Sequence, residues 1–394
     1  MVRFLVPREH SPGEKRVAAT PETVRRLLGK GVSVKVQQGA GAAAGFRDDD
    51  FLAVGAELGP EEGLPWEEAD GVLCVQAPPA ESLQRLRPGA LLVGLLSPYG
   101  ASHLAETLNG REASAIALEL LPRISRAQSM DVLSSQANIA GYKAVLLAAA
   151  ALDRYVPMLM TAAGTIQPAR ALVLGAGVAG LQAVATARRL GAVVYVSDVR
   201  PAAKEQVASL GGRFIDPPAE QERPAEAGGY ALAASEAFLA AQRKQLSEQL
   251  ALADLVICTA QVPGKPAPRL ISDAMLAGMK PGSVIVDLAV AQGGNCEGTV
   301  PGETVIRHGV QLIGADGLPS SVANHASALY ARNLLALLQH LLAAGQGADT
   351  SAPSLGIDPE DPILAGCLIS HGGRCLRPDL LPASEQPSPS LTPV

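Results

Sequence analysis

The sequence predicts an α/β protein of two doubly wound parallel-sheet domains linked by long helices. Three observations predict it. Short apolar runs alternate with helix-like runs from the first residues onward, and this alternation starts afresh near residue 170. Two long helical runs, 132–154 and 321–344, bracket the second series. A length of 394 residues also exceeds one ordinary domain.

In the first series Arg3–Val6 reads as a strand, and 21–29 as a helix with Thr20 as N-cap and Pro21 in its first turn. Strands are expected at 33–36, 71–75, 90–94 and Ser114–Ala117, with a helix at 101–109. In the second series strands are expected at Arg170–Leu174, Val193–Ser197, 213–215, 255–259, 283–287 and 311–313. Because a long helix enters the second series and another leaves it, the chain is expected to cross into a second domain and return. The first domain is then discontinuous, 1–133 with 326–379, around a second domain at 134–325. Residues 363–370 and 374–377 flank His371-Gly372-Gly373, a hairpin pattern. From 380 to 394 the chain is Pro/Ser-rich, as a flexible tail is. Segment 216–230, DPPAEQERPAEAGGY, is polar and interrupts the second series where a short connection is usual. It reads either as a surface insertion or as a lid over a ligand.

Composition excludes several classes. The net charge of -6, with no basic block, argues against nucleic acid or anionic lipid as a partner. No uncharged stretch reaches the ~18 residues needed to span a bilayer. The nearest, 326–344, carries Arg332, Asn333, Gln339 and His340 and reads as an amphipathic helix, so no direct membrane insertion is expected. The N-terminal apolar run is too short for a signal peptide. Five cysteines without a C-x-x-C pair show no metal spacing and suit a reducing compartment. Aromatics are only 3%, so the cores must be built from Ala, Val, Leu and Ile.

The motif with most chemical content is Gly175-Ala176-Gly177-Val178-Ala179-Gly180, which follows the apolar run Leu172-Val173-Leu174 and opens a helical run. G-x-G-x-x-G alone is weak; between a strand and a helix it marks a Rossmann-like dinucleotide site. Gly175 permits the tight turn, Gly177 lets backbone N–H groups approach a pyrophosphate, and Gly180 lets helix and sheet pack closely. The helix N-terminus favours the phosphate charge. The next strand ends in Asp198, 18 residues past Gly180, near the ~20 at which a carboxylate accepts from ribose hydroxyls. A carboxylate there repels a 2′-phosphate and selects NAD(H) over NADP(H). Arg200, close by, is the residue type that serves such a phosphate.

The run Leu121-Pro122-Arg123-Ile124-Ser125-Arg126-Ala127-Gln128-Ser129-Met130-Asp131-Val132-Leu133-Ser134-Ser135-Gln136 is more specific. With Pro7-Arg8-Glu9, the glycine fingerprint, Val262-Pro263-Gly264-Lys265-Pro266-Ala267-Pro268, Asp287-Leu288-Ala289, Gly293-Gly294-Asn295-Cys296 and Gly317-Leu318-Pro319-Ser320, it resembles the NAD(H)-binding component of the proton-translocating NAD(P) transhydrogenases, within the alanine dehydrogenase/transhydrogenase superfamily. The resemblance covers nearly the whole chain. It implies a Re/Si-specific enzyme in which NADH on this chain passes hydride to NADP+ on a separate NADP(H)-binding component. Membrane-spanning subunits couple the transfer to proton movement and hold the chain at the cytoplasmic face of the inner membrane. It also implies a homodimer of this component. By the same resemblance Arg123, Gln128 and Asp131, with Ser134 close by, hold the nicotinamide end, and Tyr230 belongs to a mobile loop that closes on the nucleotide. Read from their own chemistry alone, Arg123, Gln128 and Asp131 are better taken as a solvated polar loop with a helix N-cap at Asp131 or Ser134.

Two other functions compete. Alanine dehydrogenase, an enzyme of the same superfamily, needs a cationic anchor for its substrate carboxylate and an acid/base. Arg16 suits the anchor. Gln76 stands where that family's lysine is expected, Leu96-Ser97-Pro98-Tyr99 lacks the expected histidine, His103 falls in a helical run, and Ala291 replaces the acidic residue before Gln292-Gly293-Gly294. The other alternative is a catalytically silent NAD(H)-binding module. Hydride transfer between two dinucleotides needs no general base, only positioning and exclusion of water.

Overall fold

In the computed structural model, residues 1–99, 101–218, 236–262, 264–345 and 353–381 are described. The chain divides into two compact units, Met1–Gln136 with Pro319–Val394, and Ala137–Leu318. The joins fall at 136/137 and 318/319, against 133/134 and 325/326 expected. The second helix begins only at Ala323, after a 3-10 turn at Leu318–Val322.

The first unit is built on an eight-stranded sheet. Its order is Arg374–Cys375, Leu368–His371, Ser114–Ala117, Leu91–Leu95, Gly71–Gln76, Arg3–Val6, Ser33–Gln37, Glu57–Gly59. The last six are parallel, and the first two form an antiparallel edge hairpin. The hairpin strands are shorter than the sequence suggests, because 363–367 is not strand. Gly372 and Gly373 make the turn with φ of 56° and 76°, which L side chains rarely adopt. The inner strands read as continuous apolar runs because both faces are covered. Leu73, Val75, Leu91 and Val93 pack with Leu334, Leu337 and Leu338 of the helix Ala323–Ala344, while Val72, Cys74 and Leu92 pack on the opposite face. Leu380 is also buried, in a 3-10 turn at Pro378–Leu380, so the ordered chain passes the point where a tail was expected to begin. Residues 382–394 lie outside the described residues.

The second unit holds a seven-stranded sheet in the order Arg213–Phe214, Val193–Ser197, Arg170–Leu174, Leu255–Cys258, Val284–Asp287, Val310–Gly314, Thr304–Arg307. All are parallel except the last, which returns antiparallel along the edge. Ala171 and Val173 face one core, Leu172 and Leu174 the other, as the period of two requires. The scarcity of aromatics is met by small residues: Ala144, Ala148, Ala183 and Ala187 let helices lie close to the sheet. Between helices Gly141 allows the closest approach, since a Cβ there would stand 2.0 Å from Ala179 O of the helix Val178–Arg189. A separate two-stranded hairpin, Leu159–Thr161 with Gly164–Ile166, projects exposed residues.

Among the described residues, no helix is long and apolar enough to cross a membrane. No group of metal-ligating side chains occurs among them either.

Candidate functional site

In both sheets the strand order reverses at one point, and such a switch opens a crevice at the carboxyl ends of the strands. In the second unit it lies between Arg170–Leu174 and Leu255–Cys258; in the first, between Arg3–Val6 and Gly71–Gln76. The two crevices are built from different chemistry.

In the second unit the strand Arg170–Leu174 runs into the glycine turn and the helix Val178–Arg189. Gly175 takes φ 101°, and a Cβ on it would stand 2.6 Å from Thr259 Oγ1. Gly180 lies so close beneath the turn that its Cβ would come within 1.9 Å of Gly175 O. Gly177, the N-cap, is the opposite case: its φ is an ordinary -74°, and nothing lies within 4 Å of where its Cβ would be. Two glycines are therefore required by packing, and the third leaves open space above the turn. The first N–H groups of the helix have no carbonyl four residues earlier to bond, so they and the helix dipole face that space. Thr259, which no sequence motif singles out, fixes the turn from behind: its Oγ1 donates to Leu174 O at 3.0 Å and lies 3.1 Å from Gly175 O. A polar residue directly after a wholly apolar strand is the one signal that could have found it.

Asp198 ends the neighbouring strand Val193–Ser197 and points back at the turn. Its Oδ2 accepts from Ala176 N at 2.6 Å. Arg200 donates to it as well, through its backbone N at 2.8 Å and its guanidinium at 3.0 Å. Burial alone would raise the Asp198 pKa, but these donors hold it below the usual carboxylate range. The side chain is therefore a carboxylate at neutral pH. The residues present fit a dinucleotide: an open turn with backbone N–H groups for a pyrophosphate, and beside it a carboxylate paired with Arg200.

Behind the turn a buried polar frame joins the next two strands. Asn295 Oδ1 accepts from Ala260 N at 3.0 Å, and its Nδ2 donates to Ala260 O and Pro268 O. Asp287 accepts from Ala289 N, Cys296 N and Thr299 Oγ1.

The first unit's crevice is filled by its own side chains. After Val6 there is no glycine turn. Instead the Glu9 carboxylate caps the strand end, accepting from Val75 N at 2.6 Å and Gln76 N at 3.0 Å. Burial pushes Glu9 up to about 7. Beside it Glu14 receives the Arg16 guanidinium (Nη2 at 2.5 Å, Nε at 2.8 Å), Gln76 Nε2 at 2.8 Å and Ser320 Oγ. Burial would raise Glu14 too, but Arg16 and Ser320 bring it down to about 2. The remaining Arg16 nitrogen, Nη1, donates to Gln136 Oε1 at 2.9 Å. Arg16, the candidate carboxylate anchor, is thus already bound to a carboxylate of its own chain.

The Arg123–Gln128–Asp131 segment also lies in the first unit. Residues Ser125–Met130 form a 3-10 helix in which Ala127 and Met130 are buried while Gln128 is exposed, as is Arg123 just before the helix. Asp131 starts the helix Val132–Ala151 as its N-cap: Oδ1 accepts from Ser134 N at 2.9 Å and Oδ2 from Ser134 Oγ at 2.6 Å. Such a cap stabilises by roughly 1 kcal/mol, so Asp131 and Ser134 have a structural role whatever else they do. Arg123 and Gln128 make no side-chain hydrogen bond among the described residues. Tyr230, and segment 216–230 beyond residue 218, lie outside the described residues.

Residues 5–140 match the N-terminal domain, and residues 144–378 the C-terminal domain, of alanine dehydrogenase/PNT. The chain belongs to the alanine dehydrogenase/PNT family. Within this family it is 46% identical to an NAD(P) transhydrogenase subunit alpha chain of Rhodospirillum rubrum, over 96% of this chain and 99% of that one. A transhydrogenase structure from Sinorhizobium meliloti matches with a TM-score of 0.84 at 42% identity, over 95% of this chain and 99% of that one. An L-alanine dehydrogenase structure matches with a TM-score of 0.77 at 26% identity, over 96% and 100%. Both branches of the family share the fold, so the side chains must separate them. Here Arg16 is paired with Glu14, Gln76 donates to the same carboxylate, and His103 is exposed on the helix Ser102–Gly110.

Proposed function

We propose that this chain is the NAD(H)-binding subunit of a proton-translocating NAD(P) transhydrogenase and works with a partner component that binds NADP(H). The observation that carries this reading is the contrast between the two switch-point crevices. One presents an open glycine turn beside a fixed carboxylate; the other, where an amino acid would need an anchor and a base, is closed by the Glu14–Arg16 pair. The end-to-end likeness to the Rhodospirillum rubrum subunit supports it.

NADH, when bound, supplies the hydride. The turn at 175–180 binds the pyrophosphate through backbone N–H groups, and Asp198 selects an unphosphorylated ribose. Arg123, Gln128, Asp131 and Ser134 act on the nicotinamide end. Gln128 supplies an amide donor and acceptor for a carboxamide or ribose hydroxyl, and Arg123 is a cation on the same segment. No group on the chain need take a proton, since hydride passes between two nicotinamides with no substrate hydroxyl or amine involved. Positioning is the whole of this chain's contribution.

The subunit works as a homodimer and is held at the cytoplasmic face of the membrane by membrane-spanning partner subunits. Exposed apolar side chains on and beside the projecting hairpin, Tyr155, Met158, Met160 and Ile166, support self-association.

The reading is tested by mixing the chain with an NADP(H)-binding component and following hydride exchange, with L-alanine and NAD+ as the rival assay. Exchange without alanine oxidation is expected. Alanine turnover by the chain alone would contradict it.

A further inference from the structure

Among the described residues, the segment that carries Gln128 is tied to the helix Ala323–Ala344 by one side-chain bond: Asn333 Nδ2 donates to Ser129 O at 2.7 Å. The other end of the same amide is in a poor environment. Asn333 Oδ1 is buried and accepts no hydrogen bond among the described residues. A buried carbonyl oxygen without a donor is a net cost to the fold. Next to Asn333 stands Leu334, and one turn on stands Leu337, both fully buried in the first unit's core. An apolar residue at 333 would avoid the cost and suit these neighbours. What it cannot do is hold Ser129 O.

We propose that Asn333 is a positioning residue for hydride transfer, fixing the backbone beside Gln128. The inference rests on the reading that Gln128 holds the nicotinamide end. The need for such a tie follows from the segment's construction. Ala127 and Met130 anchor it in the core, and Asp131 caps the following helix. Between those anchors Gln128 and Ser129 are exposed, in a 3-10 turn whose own hydrogen bonds are poorly aligned. Asn333 is the side chain that reaches into this gap. It acts through the main chain of Ser129 and does not touch the nucleotide.

A merely structural asparagine and a positioning one give opposite signatures. For Asn333→Leu, the thermal midpoint is expected to hold or rise, because the orphaned oxygen is gone. NADH affinity should stay within about twofold, since its main anchors lie at the glycine turn and Asp198. Single-turnover transfer to NADP+ on the partner component should fall about 10- to 100-fold, the scale on which misplacement near 1 Å acts. Asn333→Ala, which fits any packing, should show the same slowing and covers the case in which leucine is too large. Wild-type transfer rates in the folded Asn333→Ala chain overturn the proposal, as does a fall in stability with no change in transfer. Gln128→Asn, run alongside, separates the two levels. Slow transfer in Gln128→Asn with wild-type rates in both Asn333 variants overturns only the role of Asn333. Wild-type rates in Gln128→Asn overturn the reading of Gln128 on which that role depends.

Discussion

Arg200 closes a fork on Asp198, with Nε 3.0 Å from one carboxylate oxygen and Nη2 3.0 Å from the other. The two residues that argued for opposite cofactors in the sequence are thus one ion pair. While Asp198 is present, the Arg200 guanidinium is held on it and is not offered to a 2′-phosphate.

Asp198→Ala should therefore do two things. On the proposed reading it removes the ribose acceptor, so NADH binding should weaken by about 1–3 kcal/mol, the usual cost of losing charge-assisted hydrogen bonds. It also releases Arg200, so NADPH should gain where NADH loses. Calorimetry with both nucleotides on both chains measures this. Equal affinity of the wild-type chain for NADH and NADPH would sink the assignment of Asp198.

Two glycines of the turn should fail in different ways. Gly180→Ala places a methyl group within 1.9 Å of Gly175 O, so the turn and its helix must separate and the second unit should lose stability. Gly177→Ala meets no neighbour within 4 Å and keeps an ordinary φ, so folding should survive while the methyl occupies the space above the turn. Its expected signature is an unchanged melting curve with weakened NADH binding. Full NADH affinity in Gly177→Ala would show that the pyrophosphate does not sit there.

Glu9 gives the first unit a pH-dependent stability. Its carboxyl is raised by burial from an ordinary value of 4.5 to about 7, so the folded chain holds a proton that the unfolded chain releases. That contribution is fully present below about 4.5 and is lost as pH rises through about 7. Glu119, also raised by burial, acts in the same direction. Glu14, brought down to about 2, contributes stability that is fully present above about 4.5 and is lost as pH falls through about 2. Glu9→Gln should accordingly reduce the fall in urea midpoint between about pH 5 and pH 8 without abolishing it. An undiminished fall would place the proton elsewhere.

The hairpin Leu159–Thr161 with Gly164–Ile166 exposes Met160 by 72%, and Met158 just before it by 57%. Placing a charge there, as in Met160→Lys, should leave the monomer fold intact and shift the mass in sedimentation equilibrium from dimer towards monomer. A dimer of undiminished affinity would move the interface to another surface.

Much of the architecture was legible because parallel strands covered on both faces must be short apolar runs. Gly71–Gln76, Leu91–Leu95 and Arg170–Leu174 stand out for that reason. The hairpin at 159–166 was missed for the converse reason: its residues are mostly exposed, so no alternation marks it. Glu57–Gly59 and Thr304–Arg307, at the sheet edges, carry too little buried surface to be seen. At the site, the roles of Gly175 and Gly180 could be read from their spacing, since sterics alone dictate them. The polar frame around Arg16 could not, because Gln76, 62 residues from Glu14, and Gln136, 120 from Arg16, meet that pair only in the folded chain. The tie between Asn333 and Ser129, 204 residues apart, is hidden in the same way.

If this chain positions a nicotinamide for direct transfer, as proposed, Gln128 is the side chain whose length should matter most. Gln128→Asn shortens the side chain by one methylene without touching the glycine turn or Asp198. The measurement is single-turnover hydride transfer from NADH on this chain to NADP+ on the partner component, with equilibrium NADH titration in the same samples. A loss of about 100-fold in transfer rate is expected, with little change in NADH affinity. No hydride exchange by the wild-type chain with any NADP(H)-binding component, or exchange only when L-alanine is supplied, would contradict it.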